Sequence, residues 1–219
     1  DRRWRFVPEP RRQGGMRVDG GDVLGSVQET ESIRHRILTP PLTQGELLEL
    51  APEGDYTIDE VIGRIRLADG NIEKLRMFHR WPVRTPRPFR RRDHAVQPLI
   101  TGQRILDTFY PLLKGGKAAI PGPFGAGKTM LQQQIARWCN AEIVIYVGCG
   151  ERGNELTDVL EFMPRLKDPH TGRPLMERTV IIANTSNMPV AAREASIYSA
   201  VTVAEYFRDQ GLHVALMAD

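Results

Sequence analysis

Eight residues constrain this chain more than any others: Gly122-Pro123-Phe124-Gly125-Ala126-Gly127-Lys128-Thr129. They satisfy G-x-x-x-x-G-K-[ST]. The glycines let the backbone curl until several N–H groups face one phosphate chain. A helix opening at Lys128 adds its N-terminal partial charge. In such a loop the Lys128 ammonium reaches the β- and γ-phosphates of a nucleotide, and the Thr129 hydroxyl ligates Mg²⁺. Chance matches to four fixed positions occur, so context decides. The pattern predicts a short strand end at Ala118–Ile120 before the loop. It predicts a helix over 128–138 after it, with Leu131, Ile135 and Trp138 at i, i+4, i+7.

Downstream, strands and helices alternate. Ile143–Val147, Thr179–Ala183 and His213–Ala218 read as buried strands. Glu155–Phe162 and 190–210 read as helices, with Gly211 as the C′ residue. Gly148–Asn154 reads as a loop and Asp168–Pro174 as a turn-rich excursion. This alternation implies right-handed crossovers and a mostly parallel α/β sheet. Upstream of residue 82 the signals are β. Asp19-Gly20-Gly21-Asp22, Gly54-Asp55 and Asp69-Gly70 are turn signals, and Ile33, His35 and Ile37 alternate with polar residues.

Six arginines (Arg80, Arg84, Arg87, Arg90, Arg91, Arg92) interleave with Pro82, Pro86 and Pro88. Proline excludes helix and central strand there. A stiff linker is expected near 82–98, dividing a β-rich region (1–84) from an α/β region (85–219). The arginines are expected to be solvated or paired, since they lack the interleaved aromatics of a nucleic-acid platform. With 30 Lys+Arg against 27 Asp+Glu the net charge is +3, which excludes a strongly basic tail. Two cysteines, Cys139 and Cys149, are too few for a disulfide framework, and no apolar run approaches the ~18 residues that span a bilayer. The missing initial Met makes a processed chain or a fragment the expectation.

Two carboxylates stand where parallel sheets gather ligands, at the carboxyl ends of strands. Asp219 follows Val214–Ala218 in the form of a Walker B acid for Mg²⁺. The alternative is an ordinary strand-end Asp. Glu151 lies among Gly148, Gly150 and Gly153. It is either a carboxylate that polarises an attacking water or a solvated loop acid. Arg152 beside it is placed to meet a γ-phosphate. Glu155 and Asp158 read as a helix start and its exposed face.

Together, Gly122–Thr129, the Gly148–Glu155 loop, 175–179, 184–195, 204–209, 81–84 and 98–104 resemble the catalytic A subunit of V/A-type rotary ATPases. The resemblance covers nearly the whole chain. Its first 80 or so residues are similar to the region that separates A subunits from F-type β subunits. It implies a RecA-like P-loop fold, incomplete here, and ATP hydrolysis or synthesis with Mg²⁺, coupled to proton or sodium transport. It assigns Lys128 and Thr129 to phosphate and Mg²⁺, Glu151 to water activation and Arg152 to the γ-phosphate. It also implies partners: a B subunit that alternates with A in a ring of three pairs and supplies a second arginine, central-stalk subunits, and indirectly a membrane sector. That places the protein at the cytoplasmic face of a membrane.

Ala126 in the loop resembles the archaeal and bacterial branch, whereas the eukaryotic vacuolar form carries Cys there. The family's N-terminal barrel and everything after the Walker B strand are expected to be missing, so the chain alone should be poorly stable and nearly inactive. A non-catalytic ring module is the competing class, and Glu151 favours the catalytic one. Asp19–Gly25 is also similar to lipoyl-type carrier hairpins. A carrier needs a tip Lys, and residues 1–73 contain none, so a structural β region is expected.

Overall fold

The computed structural model describes residues 2–94, 96–123 and 125–219. The chain divides into two compact units, Asp1–Pro88 and Phe89–Asp219.

The first unit is all β. Its strands are β1 (Trp4–Pro8), β2 (Arg17–Val18), β3 (Val23–Gln28), β4 (Arg34–Leu38), β5 (Gly45–Leu50), β6 (Gly54–Tyr56), β7 (Gly63–Leu67) and β8 (Ile72–Leu75). They form two four-stranded antiparallel sheets, in the orders β4-β3-β1-β6 and β2-β5-β7-β8. Alternation fills two cores: Phe6, Val27, Ile37, Ile62 and Met77 in one, Val18, Leu24, Leu47, Ile65 and Leu75 in the other. Gly25 does not break β3. It sits where the β3–β4 register shifts, and a Cβ there would stand 2.4 Å from the Phe6 ring. Asp69-Gly70 turns β7 into β8, with Gly70 at φ +84°. Gly54-Asp55 is not a turn but part of β6, because both residues pair with β1. Five arginines of the run are exposed as expected, with Arg91 paired to Asp93 at 2.6 Å, and Arg87 is the exception. Arg87 is 3% exposed, with its guanidinium 5.5 Å from the Trp81 ring centre and Nη1 3.0 Å from His79 Nε2.

The second unit opens with β9 (Pro98–Leu99), α1 (Arg104–Phe109) and β10 (Leu112–Leu113), with β9 and β10 paired. The Asp107 carboxylate accepts hydrogen bonds from the Thr101 and Gly102 amides and the Thr101 hydroxyl, which closes the turn into α1. Then follow α2 (Lys128–Trp138), β11 (Ile143–Glu151), α3 (Gly153–Phe162), β12 (Thr179–Thr185), α4 (Val190–Asp209) and β13 (Val214–Ala218). The sheet order is β12-β11-β13, and both ladders are parallel. Val144, Tyr146, Ile135, Val159, Met163 and Leu175 lie in its core. Gly211 at φ +84° ends α4 as expected.

Two local readings need correction. Ala118–Ile120 joins no sheet: it pairs with no strand among the described residues, Ala118 and Ala119 are exposed, and Ile120 alone packs against the core of the unit. A strand is defined by its partner, and an apolar triplet alone does not make one. Gly148–Glu151 is not loop but the last four residues of β11, paired with β12 as far as Thr185. Glycine donates and accepts ladder bonds as other residues do, so a Gly-rich end can stay paired.

Candidate functional site

The loop of residues 122–127 enters α2 through Gly125 (φ +78°) and Gly127 (φ +83°), both left-handed. At such angles an L-residue would be strained by about 1–2 kcal/mol. Alternating backbone handedness turns successive N–H groups toward one side. Gly122 is needed for space, since a Cβ there would meet the Ala126 Cβ at 3.1 Å. Pro123 and Ala126 close a turn, with the Ala126 N–H donating to the Pro123 carbonyl at 3.3 Å. Phe124, also expected in the loop, lies outside the described residues. The first turn of α2 holds no acidic side chain and begins with a lysine. No acid of its own offsets the positive end of this helix, which suits an external anion.

Lys128 Nζ folds back over the loop and donates to the Gly122 and Pro123 carbonyls at 2.6 and 2.8 Å. Its ammonium is thus held directly over the loop's opening residues. Thr129 Oγ1 donates to Asp219 Oδ2 at 2.7 Å, across 90 residues of chain. The backbone carries Asp219 there: its N–H donates to Val147 O at 2.9 Å, and its carbonyl accepts from Cys149 N–H at 2.6 Å. These bonds extend the β11–β13 ladder by one residue. A hydroxyl and a carboxylate side by side are hard oxygen donors of the kind Mg²⁺ takes together with phosphate oxygens and waters. Among the described residues there is no group of three His, Cys, Asp or Glu able to enclose a metal alone. The Thr129 hydroxyl and the Asp219 carboxylate fit a cation that also takes phosphate oxygens.

Glu151 is 6% exposed, so it is not a solvated loop acid. Its Oε1 accepts a hydrogen bond from Tyr146 Oη at 2.8 Å. Its Oε2 is buried without a hydrogen-bond partner among the described residues. Burial raises its pKa first, and the nearby Asp219 and Glu155 carboxylates raise it further. Burial and the same carboxylate hold the Tyr146 phenol protonated well above its ordinary range. The Glu151 carbonyl accepts from Ser186 N–H at 2.8 Å, which ties the end of β11 to the segment after β12.

Arg152 is exposed and caps the start of α3. Glu155 is half-buried in the first turn of α3 and Asp158 is exposed. Of the expected set, the structure brings Thr129 and Asp219 into direct contact and seats Glu151 beside Asp219. It places Lys128 on the loop itself. Cys139 is buried, and Cys149 Sγ contacts Arg193 O at 3.2 Å, so both pack as small side chains.

Sequence reasoning missed Tyr146 and Arg193. Tyr146 reads as one more apolar strand residue. Arg193, in the first turn of α4, lies against Gly150, where a Cβ would stand 2.9 Å from its Cδ. A glycine inside a strand can signal such a close approach.

Comparison with known proteins follows the same division. Residues 102–219 match the nucleotide-binding domain of the ATP synthase alpha/beta family, and residues 1–84 match the barrel-sandwich domain of ATP synthase alpha/beta subunits. The chain is 66% identical to the V-type ATP synthase alpha chain of Nitrosococcus oceani, over 99% of this chain and 36% of that one. It is 63% identical to the A subunit of the A-type ATP synthase of Thermococcus kodakarensis, over 100% of this chain and 37% of that one. It thus spans about a third of the length of the curated relatives it matches. A solved ATPase of the type III secretion system of pathogenic bacteria superposes with a TM-score of 0.56 at 30% identity, covering 72% of this chain and 43% of that one. No helix among the described residues is long and apolar enough to cross a membrane. By the match over residues 102–219, supported by relatives at 63% and 66% identity along the whole chain, this protein belongs to the ATP synthase alpha/beta family.

Proposed function

We propose that this chain is the nucleotide-handling part of a catalytic A subunit, which hydrolyses or synthesises ATP in a rotary complex that moves protons or sodium ions across a membrane. Residues 1–84 are the A-subunit-specific β region, and 85–219 are the first part of the nucleotide-binding domain. The observation that carries the reading is the Thr129–Asp219 contact beside a buried Glu151. A nucleotide-binding module without turnover has no use for a buried carboxylate next to its cation site.

In this reading Lys128 leaves the Gly122 and Pro123 carbonyls and binds the β- and γ-phosphates. The loop amides and the α2 N-terminus hold the rest of the phosphate chain. Thr129 and Asp219 would hold Mg²⁺, which when bound would neutralise phosphate charge. Glu151 orients the attacking water and takes up its proton. Arg152 meets the charge that builds on the γ-phosphate. A B subunit is the partner that completes the site with a second arginine, and central-stalk subunits couple it to rotation. The complex then lies on the cytoplasmic side of the membrane as a peripheral sector.

The test uses the full-length subunit in its assembled complex. Glu151→Gln is expected to lower kcat by about 10²–10⁴-fold, the usual range for a lost general base, while Mg-ATP still binds. Lys128→Ala is expected to abolish Mg-ATP binding in calorimetry. Turnover that survives Glu151→Gln would remove the catalytic assignment of Glu151.

A further inference from the structure

Tyr146 and Glu151 are five residues apart on one strand. In a regular strand an odd spacing sends two side chains to opposite faces. Here they touch, and the ladder explains why. Cys149 pairs with Asn184 and Glu151 with Thr185, so Gly150 is an extra residue on β11 with no counterpart on β12. It adopts φ +96°, as a glycine bulge does. The bulge shifts the phase of the strand by one residue and returns Glu151 to the face of Tyr146 and Gly148. Gly148 lies between the two and leaves the gap that the carboxyl fills. A Cβ at Gly148 would stand 2.8 Å from Glu151 Oε2.

Three sequence choices therefore converge on one carboxyl: a bulge that turns it inward, a missing side chain that admits it, and a phenol that holds it. Tyr146 is 0% exposed, and a phenylalanine would fill the same space without the need to satisfy a hydroxyl. The hydroxyl is present, and it donates to Oε1 at 2.8 Å. Oε2 is left with no donor among the described residues.

We propose that Tyr146 is the positioning residue of the site: it pins Glu151 by one carboxyl oxygen and so presents the other to the water that attacks the γ-phosphate. This rests on the reading of Glu151 given above. A carboxyl held at one oxygen loses its rotation about the terminal bond, and its free lone pairs then point in one direction. Such orientation matters most at the moment of attack and little for nucleotide binding.

The experiment is kinetic, on the full-length subunit in its complex. Tyr146→Phe is expected to lower kcat by about tenfold and leave KM for Mg-ATP within about twofold, as loss of alignment without loss of binding does. Gly148→Ala, which crowds Oε2 instead of freeing Oε1, is expected to give the same kcat-selective loss. In single-turnover hydrolysis, Tyr146→Phe added to Glu151→Gln is expected to cost nothing further, because its effect runs through the carboxylate. An unchanged kcat in Tyr146→Phe would overturn the proposal. So would an equal fold-loss in the Glu151→Gln background, since a general packing defect is additive. If Glu151→Gln is inactive while Tyr146→Phe is fully active, only the positioning role falls. If Glu151→Gln retains turnover, the catalytic reading of Glu151 falls and this role with it.

Discussion

Glu29 and His35 form a pH-sensitive contact in the β unit. His35 Nδ1 and Glu29 Oε2 are 2.9 Å apart, above a small hollow of about 140 Å³ lined by Trp4, Val27, Ile37, Ile58 and Met77. The hydrogen bond to His35 lowers the Glu29 pKa below its ordinary 4.5, against the opposing effect of burial. A carboxyl with a depressed folded-state pKa stabilises the protein above its unfolded pKa, and that gain is lost as pH falls through the folded value. Glu29→Gln should therefore lower the thermal midpoint at pH 7. The wild-type and variant midpoints should converge once pH drops below the ordinary carboxylate range. A gap that stays constant down to pH 3 would assign the effect to packing. At the nucleotide site the same kind of chemistry runs the other way: Glu151 is kept buried beside Asp219 although burial disfavours its charge. Such unfavourable placements cluster at functional sites.

Arg178 is the element-scale counterpart. It ends a short 3₁₀ turn (Leu175–Arg178) and is 7% exposed. Its guanidinium donates to Ala141 O at 2.6 Å and Arg137 O at 3.2 Å, and Nε lies 3.3 Å from Asp168 Oδ2. One side chain thus ties the end of α2, the start of β11, the 168–174 excursion and the start of β12. Arg178→Met would leave the buried Asp168 carboxylate without its counter-charge, held only by the His170 amide and the Thr171 hydroxyl, at a loss of about 3 kcal/mol. That loss should appear as roughly hundredfold faster hydrogen exchange along β11 and β12 in the full-length subunit. Exchange within threefold of wild type would show the pair to be dispensable.

The same elements show what the sequence makes legible. α2 is readable because a glycine precedes it and apolar residues recur at helical spacing. Ile143–Val147 and Val214–Ala218 are readable because β-branched and apolar runs of that length suit a sheet covered on both faces. The last four residues of β11 are not, because three glycines in six residues carry no side-chain pattern while their backbone stays in the ladder. Nor is the Tyr146–Glu151 contact, because a one-residue bulge reverses the parity on which strand reading depends. Arg87 was hidden for another reason: stacking on Trp81 buries a cation that a linear charge count assigns to solvent. The motif residues were legible individually. Their distances were not, since Thr129 and Asp219 meet only through the fold.

At the scale of the whole molecule the two units differ in how their strands are paired. Every strand of the β unit finds its partners between Trp4 and Leu75. Among the described residues the parallel sheet of the second unit has three strands, and the outer edge of β13 pairs with nothing. In the same unit Ile105, Phe109, Tyr110 and Met130 are each at least 60% exposed. Open edges and bare apolar side chains promote association. The 219-residue chain purified alone is therefore expected to self-associate in light scattering and to show no robust ATP turnover. A monodisperse, fully active preparation would refute both expectations. The span between Thr129 and Asp219 also sets a clock during synthesis. At the usual rate of roughly 5–20 residues per second, the phosphate loop waits about 5–20 s for its carboxylate partner to be made. By then β1 to β8 have left the ribosome, so the newborn chain can pair all the strands of the β unit while its nucleotide site is still half written.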